Sequence, residues 1–77
     1  MLSVLVISRS GVLFEGAARQ VIVPGEQGVF EVGMFHKPVV SRLLPGSIII
    51  DGTPWPVRRG VVQVGGNRVL ALVEEVA

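Results

Sequence analysis

Val61-Val62-Gln63-Val64-Gly65-Gly66-Asn67-Arg68-Val69-Leu70-Ala71-Leu72-Val73 is the stretch that decides the fold. Two short apolar runs flank a glycine-rich break. Each run is too short for a typical helix and rich in valine, whose branched side chain suits a pleated surface. Gly65-Gly66-Asn67 supplies residues that tolerate left-handed backbone, so the reading is a hairpin of strands 61–64 and 68–73. A sandwich strand needs one apolar face. Here Val69, Ala71 and Val73 alternate with Leu70 and Leu72, so both faces are apolar. The surplus face predicts a surface covered by a partner, the alternative being a strongly curled sandwich that buries both faces.

The same grammar extends upstream. Leu2 to Ile7 precedes Ser8-Arg9-Ser10-Gly11, a turn whose glycine can take positive φ. Val12 to Gly16 and Ala18 to Val23 read as strands, the second ended by Pro24-Gly25. Val29 to Val32 is short, 33–38 is irregular, and 39–44 is strand-like again. Pro45-Gly46 suits a type II turn. Ser47 to Ile50 runs into Asp51-Gly52, a type I′ hairpin pair. Thr53 to Arg59 carries Pro54 and Pro56 around Trp55, which confines that segment to an edge because proline donates no ladder hydrogen bond. The short connections predict pairing mostly between neighbours in sequence. Trp55 is expected to cover one end of the sandwich.

Composition limits what such a chain can do. Seventy-seven residues form one domain, 1–77, with ten glycines, five prolines and no cysteine. Hydrophobic residues make up 49% and charged residues 17%, with a mean hydropathy of +0.64. Those values suit either an unusually apolar core or a surface partly covered by another protein. No apolar run approaches the ~20 residues of a membrane helix. The expectation is a chain that is apolar yet not inserted in a membrane. The formal charge of +1 gives no basic footprint for nucleic acid, and Arg58-Arg59 reads as a solvated strand end.

Chemistry is poorly represented. His36 is the only histidine and has no cysteine to join it, so neither a metal site nor a nucleophile–base pair is expected. Glu74-Glu75 are adjacent on a strand, point to opposite faces, and form no carboxylate dyad. Gly25-Glu26-Gln27-Gly28 lacks the Lys-Ser or Lys-Thr and the helix of a phosphate loop. Lys37 raises the alternative of a biotinyl- or lipoyl-type carrier, but Pro38 behind it fits a carrier hairpin poorly. The expectation is a protein with no catalytic residues, no cofactor and no metal.

The order of motifs resembles the amino-terminal domain of F-type ATP synthase epsilon chains. Val23-Pro24-Gly25-Glu26-Gln27-Gly28, His36-Lys37-Pro38, and Leu43-Leu44-Pro45-Gly46 with Ile48 to Ile50 follow the family's V/L-P-G-x-x-G, L-P-G-H-x-P and L-x-P-G-x-x-x-I in sequence. Phe14-x-Gly16 before Val21-Ile22-Val23 and the glycine-led run from Gly60 are similar to further family strands. Three positions depart from the pattern. Gly33-Met34-Phe35 replaces L-P-G, Val29 replaces an acid, and Glu31 replaces a glycine, giving a bulkier, more apolar loop.

The resemblance implies a flattened antiparallel β-sandwich of about ten short strands. It also implies a non-catalytic rotor subunit of the central stalk, on the cytoplasmic face of a bacterial inner membrane, during proton-driven ATP synthesis. Its partners would be the gamma subunit and the polar loops of the membrane c-ring. Carried over residue by residue, the ring-facing loops are Gly25, Glu26, Gln27, Gly28, Val29, His36 and Pro38, with Pro45 and Gly46 a structural turn. Family members typically continue into two helices that inhibit hydrolysis. The sequence stops at Glu74-Glu75-Val76-Ala77, where those helices would begin. If the natural protein lacks them, no inhibition of that kind is expected, and a longer gene encoding the helical pair would remove the expectation.

Overall fold

Alternate residues along the first and last strands turn inward: Leu2, Val4 and Val6 from one, Val69, Ala71 and Val73 from the other. The computed structural model describes residues 1–76 and contains eight strands. In chain order these are β1 (Leu2–Ser8), β2 (Gly11–Ala18), β3 (Val21–Gly25), β4 (Gly28–Val32), β5 (Val39–Leu43), β6 (Gly46–Ile50), β7 (Thr53–Gly65) and β8 (Arg68–Glu75). One layer runs β2-β1-β8-β7-β5; the other is β4-β3-β6 and the first half of β7. Among the described residues, sixteen apolar side chains fill the space between them and no polar residue is buried with them. The all-β sandwich expected from the sequence is the observed fold, and no helix occurs among the described residues.

The long strand β7 belongs to both layers. Thr53 to Val57 pair with β6, and Gly60 to Val64 pair with β5. Between them the register against β8 shifts at Val57/Arg59, a bulge that bends the strand from one layer into the other. Gly60 follows the bulge because the backbones crowd there. A Cβ at that position would collide with the Leu72 carbonyl oxygen and lie 3.0 Å from the Val73 Cα. The sequence reading broke the strand at this glycine. Close backbone approach, not a turn, is its reason.

The strand count is therefore eight, not about ten. A second boundary also differs: Ala18 closes β2 and Val21 opens β3, so the predicted strand from Ala18 to Val23 divides. The corner between them is held by Asp51, whose carboxylate accepts hydrogen bonds from the backbone N–H groups of Arg19 (2.9 Å) and Gln20 (3.0 Å).

Pairing is less local than predicted and not wholly antiparallel. Seven ladders are antiparallel, but β1 and β8 pair in parallel from Ser3↔Arg68 to Ile7↔Leu72. The last strand thus enters the middle of its layer between β1 and β7. The Ser3 N–H donates to the Asn67 carbonyl at 2.9 Å, so both strands start at the same end.

The turns match their residues except at one place. Asp51 and Gly52 have φ of 47° and 86°, and Gly66 and Asn67 both 58°, as type I′ hairpins require. Gly11, after the first turn, has φ 122°. Gly46 has no positive φ, so Pro45-Gly46 is not the type II turn expected. Pro45 sits in a bend and Gly46 opens β6, where a Cβ would lie 3.1 Å from the Pro24 Cβ. Packing on Pro24 is what the glycine allows.

Pro54 and Pro56 are exposed on the part of β7 that is unpaired on its second side. Trp55 points inward with Ile48 and meets the Phe14 ring edge-on, 6.0 Å between centroids at 65°. That contact joins β7 to β2 along the side of the sandwich, whereas the sequence placed Trp55 over one end.

Candidate interaction surfaces

Two regions present side chains that the fold itself does not use. The first begins with Phe30, a residue the sequence reading passed over. On β4 it faces Val23 of β3, and its ring lies over Gly25, where a Cβ would come within 2.6 Å of Cε1. The other side of the Phe30 ring region meets His36, with centroids 6.0 Å apart and planes at 28°. Phe30 therefore joins the Gly25–Gly28 turn to the 33–38 loop. The detectable signal was an aromatic diagonal to a strand glycine, a pairing that covers exposed backbone.

Gly25 is buried, whereas Glu26, Gln27 and Gly28 are exposed at the turn, with Gly28 at φ 124°. The Glu26 N–H donates to Ser41 Oγ on β5 at 3.3 Å, which lays the turn along that strand. Val29 is 73% exposed on β4. His36 is half-buried, its Nδ1 2.7 Å from the Lys37 carbonyl. Pro38 is exposed and packs beside Gly65, 3.8 Å from a Cβ built there.

Between them stands Phe35, 84% exposed at φ 60°. A bulky side chain in left-handed backbone is uncommon. Asn67 holds it there, its Oδ1 accepting the Phe35 N–H at 2.7 Å. The loop is thus docked on the β7–β8 turn with Met34 and Phe35 displayed outward. Lys37 lies in this loop and not at a tight hairpin tip, unlike the lysine of a carrier domain.

The second region is the outer face of the larger layer. Register places Ile7, Leu72, Val61 and Arg42 in one row across β1, β8, β7 and β5. Two residues along, Leu5, Leu70, Gln63 and Val40 form a second row on the same face. Leu72 is 52% exposed and Val61 44%. The surplus apolar face read from the last hairpin is real, and it spreads over neighbouring strands. An open groove crosses it, floored by the first row and bordered by Leu44 and Pro45.

Arg58-Arg59 lie at the bulge within β7, not at a solvated strand end, and the end of β8 is tied to them. Glu74 accepts from Arg59 Nε at 2.7 Å and lies 3.9 Å from Arg58. That hydrogen bond, with the nearby guanidinium charges, holds the Glu74 carboxyl below the usual range. Glu75, on the opposite face, accepts from Ser8 Oγ at 2.6 Å and Ser10 Oγ at 2.7 Å, which lowers its pKa as well. The paired acids are two latches, one to β7 and one to the β1–β2 turn. Among the described residues, no three His, Cys, Asp or Glu side chains gather as a metal site would need. No helix long and apolar enough to cross a membrane occurs there either.

A strand-only sandwich with a displayed loop and an uncovered apolar face describes a docking module. Residues 1–77 match the family described as "ATP synthase, Delta/Epsilon chain, beta-sandwich domain", and the chain belongs to that family. It is 42% identical over 74 residues to the ATP synthase epsilon chain of Delftia acidovorans, covering 87% of this chain and 52% of that protein. It is also similar to the ATP synthase epsilon chain of Chlorobaculum tepidum, 27% identical over 77 residues, covering 94% of this chain and 88% of that one. The first relatives it matches are about twice as long, the chain spanning 40% to 57% of their length. In fold it is similar to a chain in the cryo-EM structure of the Euglena gracilis mitochondrial ATP synthase. The TM-score is 0.84 at 14% identity, over 94% of this chain and 49% of that one.

Proposed function

We propose that this domain is a non-catalytic part of the central stalk of an F-type ATP synthase, linking the gamma subunit to the c-ring as the rotor turns. In this reading the apolar outer face of β1, β8 and β7 docks on gamma. The displayed loops, Gly25 to Val29 with His36 and Pro38, meet the polar loops of the ring. The domain would sit at the cytoplasmic face of a bacterial inner membrane, peripheral to it, and transmit torque driven by proton flow.

The observation that carries the reading is the uncovered row Ile7, Leu72 and Val61 in a member of the epsilon family. Removing apolar area from water is worth roughly 25 cal/mol per Å², so a face of this kind favours a permanent neighbour. Torque transfer asks nothing of bond chemistry; it asks for a stiff body gripped on two sides. A sandwich whose layers share one continuous strand supplies that stiffness.

The test is co-expression with the gamma subunit of the same organism, followed by gel filtration and capture on purified c-ring. The reading predicts one complex with gamma and ring binding by that complex. A chain that elutes alone as a monomer and carries a lipoyl or biotinyl mass on Lys37 would replace it with the carrier alternative.

A further inference from the structure

We infer that the groove on the outer face is built for an acidic, amphipathic segment, which on the reading above is a segment of gamma. The inference comes from charge that the family assignment does not explain. Arg9, Arg42, Arg58 and Arg59 all border the groove, and among the described residues Glu74 is the only carboxylate lining it. Four arginines against one acid give the groove +3, while the whole chain carries +1, leaving −2 for everything else. Four of the six arginines in the sequence have been gathered from the β1–β2 turn, β5 and the β7 bulge onto one apolar floor.

Glu74 chiefly compensates the β7 pair, with only a weaker long-range influence of Arg9. It binds Arg59 and approaches Arg58. Arg9 and Arg42 have no salt-bridge partner among the described residues. Their guanidinium groups are planar forks suited to paired carboxylates.

The floor has a matching shape. The row Ile7, Leu72, Val61 and Arg42 crosses four strands, about 14 Å at the ordinary strand spacing. A helix with its side chains is about 10–12 Å wide. An amphipathic segment could therefore lay an apolar stripe on Ile7, Leu72 and Val61 with acidic flanks toward Arg9 on one side and Arg42 on the other.

Charge at an interface rim acts chiefly on association rate and its salt dependence. The experiment measures the association rate of this chain with purified gamma by surface plasmon resonance, at about 0.05 and 0.5 M salt. It compares the wild type with Arg9→Glu/Arg42→Glu and with the neutral Arg9→Gln/Arg42→Gln. Both arginines are exposed and form no salt bridge among the described residues, so the fold should tolerate the changes, and the urea midpoint checks this. The expected result at low salt is association slowed about tenfold or more by charge reversal and by less on neutralisation, with the difference fading at high salt.

Association equally fast for all three at both salts would overturn the acidic partner while leaving the docking to gamma intact. No binding to gamma by the wild type would sink the stalk reading and this inference together. A salt-sensitive dimer of this chain alone, broken by Arg42→Glu, would assign the groove to a second copy and overturn it too.

Discussion

Gly60 shows how one hydrogen in place of a methyl can decide a fold. The Leu72 carbonyl and the Val73 Cα occupy the space a side chain would need. Gly60→Ala should lower the unfolding free energy in urea by about 1–3 kcal/mol, the range of an overpacked core. An unchanged midpoint would mean that the β7 bend is not fixed there. Phe35 is the opposite case, a residue whose conformation serves display and not packing. Phe35→Gly removes left-handed strain of about 1–2 kcal/mol but adds backbone entropy of about 1 kcal/mol to the unfolded chain. The urea midpoint should barely move, while capture on c-ring weakens. A large stability loss would show the ring packs on this chain instead. The sequence identified His36 and the Gly25–Gly28 turn but not Phe30, which joins them, because a cross-strand diagonal depends on register.

The hairpins were the most legible elements, since Asp51-Gly52 and Gly66-Asn67 carry their backbone geometry in their residue types. The parallel β1–β8 ladder and the continuity of β7 were not legible, because pairing between residues some 65 apart leaves no local mark. Strand edges are also tied by side chains that look ordinary in sequence. Asp51 binds two N–H groups at the β2–β3 corner, so Asp51→Ala should cost about 1–2 kcal/mol, measured by urea unfolding. Asp51→Gly, which keeps the turn's left-handed freedom but not the carboxylate, should lose most of the same stability. The β8 latches predict a pH effect. Glu74 and Glu75 have folded pKa values below their unfolded ones, so the unfolded chain binds protons first as pH falls. Their stabilisation is present at neutral pH, starts to fall near pH 4.5, and is lost through the lowered folded values. The midpoint in urea should be flat from about pH 6 to 8 and drop below about pH 4.5, less steeply in Glu75→Gln. A midpoint that rises on acidification would contradict the latches.

Taken as a body, the molecule measures 33 × 26 × 19 Å, a flat wedge with one displayed loop and one bare apolar face. That surplus face was readable from the alternation of Val69 to Val73, because both parities of a single strand were apolar. Its arginine border was not, since Arg9, Arg42 and the Arg58-Arg59 pair converge only when β1, β5 and β7 share a layer. On the proposed function that face is a grip for gamma. Calorimetry of gamma with the wild type and with Leu72→Asp tests it most directly. Leu72 is half exposed, so the variant should fold, with a urea midpoint near the wild type. Affinity should fall at least about a hundredfold, as expected of a charge placed in a desolvated apolar contact. Equal affinity for gamma in a folded Leu72→Asp chain would contradict the account.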